Sequence, residues 1–205
     1  MAEPIIVAQH LFHTYQVGTM SKEALIDINL VIERGSCATV IGVTGSGKST
    51  LLSTWYAEAA SISRAWVSLD EADNEPSRFW AALIVALQRC APAVGQNTLK
   101  MLRSPHPPAP KAMLASLLSD ISTLSEHTVV ILDDYHVISN EGIQQAFAFL
   151  LEHMPSRMHF VLATRTLPPL PVARLRVRGQ CLEIQGQALL FTLEEATAFF
   201  RHVMA

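Results

Sequence analysis

Short runs of apolar, β-branched residues alternate with stretches of helical period along most of the chain. Residues 5–7 (Ile-Ile-Val) and 26–32 predict two strands near the N-terminus, the second with apolar and polar positions in strict alternation. After a turn at residues 33–36, residues 37–41 (Cys-Ala-Thr-Val-Ile) form a nearly all-apolar run, the pattern of a strand buried on both faces. A glycine-rich segment follows, then a helical pattern from Lys48 to about Ala60.

Further strands are predicted at residues 65–69, 128–132, 159–163 and 181–184. Helices are predicted from the spacing of Phe79, Trp80, Leu83, Ile84 and Leu87, from that of Met113, Leu114, Leu117, Leu118, Ile121 and Leu124, and over about residues 141–153. Four prolines among residues 104–110 exclude regular structure there, and Pro168, Pro169 and Pro171 break the connection before the last strand. Thr192 followed by Glu195 is a capping box that predicts a terminal helix. Strands alternating with helices imply one parallel sheet with helices on both faces.

Composition narrows the class. In 205 residues, half are apolar and 16% are charged, which excludes a disordered chain. The net charge of −3 carries no general footprint for nucleic acid or an anionic membrane. No apolar run approaches the roughly 20 residues of a membrane span, the stretch at residues 81–87 included. Cys37, Cys90 and Cys181 are odd in number and widely spaced, so neither a disulfide framework nor a cysteine zinc site is expected. The eight histidines show no metal-ligand spacing. A soluble cytoplasmic protein, monomeric or weakly oligomeric, is the expectation.

The glycine-rich segment carries the chemistry. Gly42-Val43-Thr44-Gly45-Ser46-Gly47-Lys48-Ser49 satisfies G-x-x-x-x-G-K-[ST], between a buried strand and a helix. Gly45 and Gly47 allow the positive φ angles that turn backbone N–H groups toward phosphate oxygens. The helix start, with Thr50 in its first turn, adds unpaired N–H groups; Lys48 adds a point charge and Ser49 a hard oxygen for Mg²⁺.

Asp133 and Asp134 close the most apolar strand, where a Walker-B carboxylate meets the phosphates. Asp133 is assigned to the metal side and Asp134 to a base or water-orienting role, the other reading being two solvated turn acids. Arg165 follows Thr164 at a strand end; if that strand lies between those of Lys48 and Asp133, its guanidinium points at the terminal phosphate. Asp70, Glu71 and Asp73 could orient a water or form a solvated acidic turn, and His136 is read as structural. Arg174, Arg176 and Arg178 alternate with Leu175 and Val177 like one face of an extended segment.

Two resemblances meet in this one chain. Leu11-Phe12-His13-Thr14-Tyr15, the run from Ala24 to Leu30 and Ile32-Glu33-Arg34-Gly35, leading into the phosphate loop, resemble the start of an ATP-binding-cassette (ABC) ATPase of the energy-coupling-factor type. That resemblance implies an antiparallel β layer beside the main sheet and adenine stacking on Tyr15. From about residue 53 the chain is similar instead to the nucleotide-binding domain of MalT-like STAND ATPases, regulators with a LuxR-type DNA-binding end. The matching text includes Trp66-Val67-Ser68-Leu69-Asp70-Glu71-Ala72-Asp73-Asn74, Ile131-Leu132-Asp133-Asp134-Tyr135-His136 and Leu162-Ala163-Thr164-Arg165. It implies Mg²⁺ at the acidic strand end and phosphate sensing by the Thr-Arg pair.

No Leu-Ser-Gly-Gly-Gln signature occurs, so a paired ABC site cannot be built. The expectation is a single P-loop nucleotide-binding domain over residues 1–205, a three-layer αβα sandwich. Its mainly parallel core sheet would have the order 5-1-4-3-2, with an added N-terminal antiparallel ABC-like β layer. It would be an engineered chimera joined near residue 52, binding ATP or ADP with Mg²⁺ and turning it over weakly or not at all. Nucleotide is the expected partner, with neither nucleic acid nor membrane.

Overall fold

The computed structural model describes residues 4–17, 20–33, 37–43, 46, 48–58, 62–105, 108–177 and 181–185; before Cys37, and at Glu58 and Gln185, the description is of the backbone alone. Five strands form one sheet: β3 (Cys37–Ile41), β4 (Ser63–Ser68), β5 (Thr128–Asp133), β6 (Met158–Thr164) and β7 (Cys181–Gln185). Their spatial order is β4-β5-β6-β3-β7, and every neighbouring pair is parallel. Read from the β7 edge, this is the expected order 5-1-4-3-2. β1 (Pro4–Val17) and β2 (Met20–Glu33) pair antiparallel in a separate two-stranded sheet whose backbone runs beside helix α1 (Lys48–Glu58). Both are far longer than the short strands read at residues 5–7 and 26–32; polar positions interrupt the apolar pattern that the backbone pairing continues through.

The remaining helices are α2 (Pro76–Cys90), α3 (Gln96–Leu102), α4 (Pro110–Ser122), α5 (Glu141–His153) and α6 (Val172–Val177). The two-residue period of the central strands sorts their side chains into two cores. Ala38, Val40, Val129, Ile131, Val161 and Ala163 face α1, packing on Leu51, Leu52 and Trp55. Val130, Leu132, Phe160 and Leu162 face the opposite way and meet Phe79, Leu83, Leu117, Phe147 and Leu175 of the other helices. β5 and β6 are buried along their whole length, so their near-continuous apolar runs are what two-sided burial requires.

One reading is corrected. The segment carrying Arg174, Arg176 and Arg178 is not an extended strand face: α6 takes it up to Val177, burying Val172 and Leu175 three apart on one helical side. Arg174 reaches Glu152 at 3.2 Å and Arg176 reaches Glu183 at 3.5 Å, both from exposed positions; Arg178 lies outside the described residues. Helix α3 carries too few apolar positions to be recognised by period. The terminal helix expected from Thr192 lies outside the described residues. Among the described residues no helix is long and apolar enough to cross a membrane.

Candidate functional site

Parallel strands all end on one edge of a sheet, and here the carboxyl ends of β3, β5 and β6 converge. β6 lies between β3 and β5, the condition on which the reading of Arg165 depended. The Gly42 N–H donates to Thr164 O at 3.0 Å, carrying the β3–β6 pairing one residue past the strand end. The chain then leaves the sheet through Val43, which is 70% exposed, and the Ser46 N–H turns back to Val43 O at 3.2 Å. Thr44, Gly45 and Gly47 lie outside the described residues.

Lys48 opens α1 and folds back over this turn. Its ammonium group donates to Gly42 O, to Val43 O at 3.1 Å and to the Ser46 hydroxyl at 3.5 Å. Burial lowers its pKa; Asp133 and Asp134 act in the opposite sense, and Arg165 adds to the lowering. Such a cation, short of counter-charge, is suited to an anion arriving at the loop. Thr50, in the first turn of α1, is half-buried, and its carbonyl accepts from the hydroxyls of Ser53 and Thr54.

The Ser49 hydroxyl donates to Asp133 Oδ1 at 3.2 Å, across 84 residues of sequence. Asp133 ends β5 and is almost fully buried, and that desolvation raises its pKa; the Ser49 hydrogen bond works the other way. One hydroxyl and one desolvated carboxylate, side by side, are a donor set of hard oxygens that suits Mg²⁺. These residues therefore fit the metal that the loop sequence implies.

Asp134 takes the left-handed conformation (φ 57°, ψ 35°), as no other non-glycine residue does among those described. Its N–H donates to Asp133 Oδ1 at 3.0 Å, while its own carboxylate stays half-exposed at the sheet edge. His136, on the 3-10 turn Tyr135–Val137, lies with Nδ1 3.7 Å from Asp134 Oδ1. Burial lowers its pKa, Arg165 adds to the lowering, and Asp134 opposes it. The sequence reads His136 as structural; the structure brings it beside Asp134. Its spacing from Asp134 was the available signal, but only the turn between them makes the two side chains neighbours. Arg165 is exposed at the end of β6, near enough to Lys48 and His136 to act on both electrostatically.

The acidic turn after β4 is occupied otherwise. Asp70 accepts from the Ala72 N–H at 2.8 Å, and the Asp70 N–H donates to Asp73 Oδ2 at 2.9 Å, closing a capping box on the 3-10 helix Glu71–Asn74. Of the three acids only Glu71 has no such task there. Tyr15 sits on β1 opposite Lys22, and only its backbone is described.

No protein-family model matches the chain. The HTH-type transcriptional regulator MalT of Serratia proteamaculans is 42% identical over 159 residues, 76% of this chain and 17% of the relative. MalT of Cronobacter sakazakii is 37% identical over 163 residues, 80% of this chain and 18% of the relative. The chain thus spans about a sixth of the length of these curated relatives. Among solved structures, Drosophila ORC bound to AT-rich DNA and Cdc6 has a TM-score of 0.49 at 14% identity, over 79% of this chain and 52% of that one. The cbiO1 protein of Clostridium perfringens, part of the ABC transporter complex cbiONQ, has a TM-score of 0.46 at 17% identity, over 80% and 79% respectively. The phosphate-loop sequence and the parallel strand order make this a P-loop NTPase fold, and the chain is similar in sequence to part of MalT.

Proposed function

We propose that the chain binds a purine nucleotide, ATP or ADP, together with Mg²⁺, and hydrolyses ATP weakly or not at all. The observation that carries this reading is the Ser49–Asp133 hydrogen bond beside Lys48, at the carboxyl ends of β3 and β5. In this reading the backbone of Gly42, Thr44, Gly45, Ser46, Gly47 and Thr50 cradles the phosphates. Lys48 then exchanges its carbonyl partners for phosphate oxygens, and Ser49 and Asp133 hold the metal, which would neutralise phosphate charge when bound. Tyr15 stacks on the base, Asp134 orients a water, and Arg165 contacts the terminal phosphate. Turnover would be weak because phosphoryl transfer rests on positioned charge, and Arg165 is the arginine that acts on Lys48 and His136 among the described residues.

A second reading is a nucleotide-dependent switch without turnover, favoured by the likeness to a transcriptional regulator. In either case the chain joins an ABC-like segment up to about residue 52 to a MalT-like remainder. What favours that junction is the separate β1–β2 sheet. A relative that is uniformly similar across all 205 residues would refute it.

Thermal melting with Mg-ATP tests the binding reading, since ligand at about 100 times its Kd adds roughly 2.7 kcal/mol of stability. Lys48→Ala should abolish the shift, and a shift that survives in this variant would put the site elsewhere. Steady-state phosphate release separates slow hydrolysis from a pure switch.

A further inference from the structure

Asn74 ends the 3-10 helix after β4, and its side chain reaches across to the segment that follows the two aspartates. Nδ2 donates to Val137 O at 2.6 Å and to Glu71 O at 3.3 Å. Oδ1 accepts from the Ser139 N–H at 2.7 Å, the Asn140 N–H at 3.1 Å and the Ser139 hydroxyl at 3.2 Å. The Asn74 carbonyl accepts from Asn140 Nδ2 at 3.1 Å, and Asn140 Oδ1 in turn caps α5 through the N–H groups of Gly142 and Ile143. One amide thus serves two carbonyls on one side, and two N–H groups and a hydroxyl on the other. Asparagine supplies both functions within so short a reach; aspartate would set a carboxylate against the Val137 and Glu71 carbonyls.

The same segment leads straight back to the nucleotide edge. The Val137 N–H donates to Asp134 O at 3.0 Å and the Ile138 N–H to Tyr135 O at 3.1 Å, so residues 134–138 form one tight turn carrying Asp134 and His136. On the other flank the Leu69 N–H donates to Asp133 O at 3.1 Å. The backbone from Leu69 through Asn74, across to Val137 and back to Asp133 is therefore a closed circuit. Asp134 sits inside it in a left-handed conformation that its neighbours must hold.

We infer that Asn74 is a positioning residue of the nucleotide site: it clamps residues 137–140, fixes Asp134 and His136 relative to Asp133, and so couples metal binding to nucleotide binding. The inference rests on the nucleotide-binding reading above. The clamp also touches the starts of two helices, through Asn140 at α5 and through Glu75, the next residue, which caps α2. Placement of the carboxylates is thereby tied to both helices.

The test is calorimetric titration of the full chain with ADP, in EDTA and in excess Mg²⁺. Affinity in EDTA reads the loop and Lys48; the ratio of the two affinities reads Asp133 and its surroundings. Asn74→Ala should leave affinity in EDTA within about twofold while reducing the Mg²⁺ enhancement roughly three- to tenfold, the scale of one or two hydrogen bonds. A clamp that only stabilised the fold would lower the melting temperature and leave the enhancement intact, which would overturn the inference. So would equal losses in both media. If wild-type protein shows no binding that depends on Lys48, the underlying reading has failed, and the inference with it. Should Asn74→Ala not fold, hydrogen exchange on the wild type decides. The Ser139 and Asn140 amides should gain protection with Mg-ADP beyond that with ADP in EDTA, and equal protection would overturn the inference.

Discussion

Single side chains in this molecule are explained by the partner each one finds or lacks. Tyr135 is 1% exposed, and its hydroxyl has no hydrogen-bond partner among the described residues. Burial pushes its pKa far above the usual phenol value, with Cys37 beside it adding to the shift. Because the folded-state pKa is the higher one, stability is intact below the unfolded phenol value of about 10 and falls as pH rises beyond it. Tyr135→Phe should therefore leave stability at pH 7 unchanged or raised by about 1 kcal/mol, and should remove part of the alkaline loss. Urea melts at neutral pH and above about pH 10 check both, given the phenol value from which the loss starts.

Glu75 behaves in the opposite way. Its carboxylate accepts from the Ser77 and Arg78 N–H groups at 3.0 and 2.8 Å, and those bonds, Ser77 first, hold its pKa below the usual value. A depressed carboxylate stabilises above its unfolded pKa and loses that contribution as pH falls through the folded one. Glu75→Gln should cost about 0.5–1 kcal/mol at pH 7, in the range of an N-cap loss, and nothing well below pH 4.

At the scale of elements, the long apolar runs were legible because a strand buried on both faces has almost no other way to be written. β5 and β6 each match the sequence reading to within one residue at either end, and α5 matches over Glu141–His153. Elements set by a single contact were not legible. α3 is one: it begins at Gly95, whose φ of 71° suits glycine and whose N–H donates to Asp120 Oδ2 at 2.9 Å. A Cβ there would collide with Ile84 Cγ2, on a branched and fully buried neighbour in α2. Gly95→Ala combines backbone strain with overpacking and should cost about 2–4 kcal/mol, measured by denaturant unfolding. α6 is another: alternating arginines read as a strand face until Val172 and Leu175 are seen entering the core together.

Across the whole molecule, Phe147 marks where the helices on one face close on the sheet. It is fully buried, with rings of Phe79, Tyr135 and Phe160 at centroid distances of 5.9, 5.5 and 5.1 Å. Phe147→Ala removes an aromatic shared by α2, the 3-10 turn after Asp134 and β6, and should cost about 3–5 kcal/mol. The loss should appear in thermal melts without ligand, and added Mg-ATP should recover only its own binding increment. The hairpin β1–β2 shares no ladder with the five-stranded sheet. A chain beginning at Cys37 should therefore still unfold cooperatively and keep binding that depends on Lys48, with weaker base discrimination if Tyr15 contributes it.

The linear order of residues was enough for the strand before the phosphate-loop sequence and the helix after it, for the acidic end of β5 and for the alternation of strand and helix, since each is a local pattern whose signal lies within a few neighbouring positions. Hydrophobic period alone does not put β6 between β3 and β5, because strand order depends on how crossovers pack; that expectation came with the resemblance to a known fold, and the sheet has it. The linear order could not show that Cys37 and Cys181 would face each other in register on β3 and β7, both as free thiols, or that Asn74 would serve a segment more than sixty residues away. Those pairings have no signature along the chain. They arise only when the sheet closes and each buried polar group takes the partner that space then puts within reach.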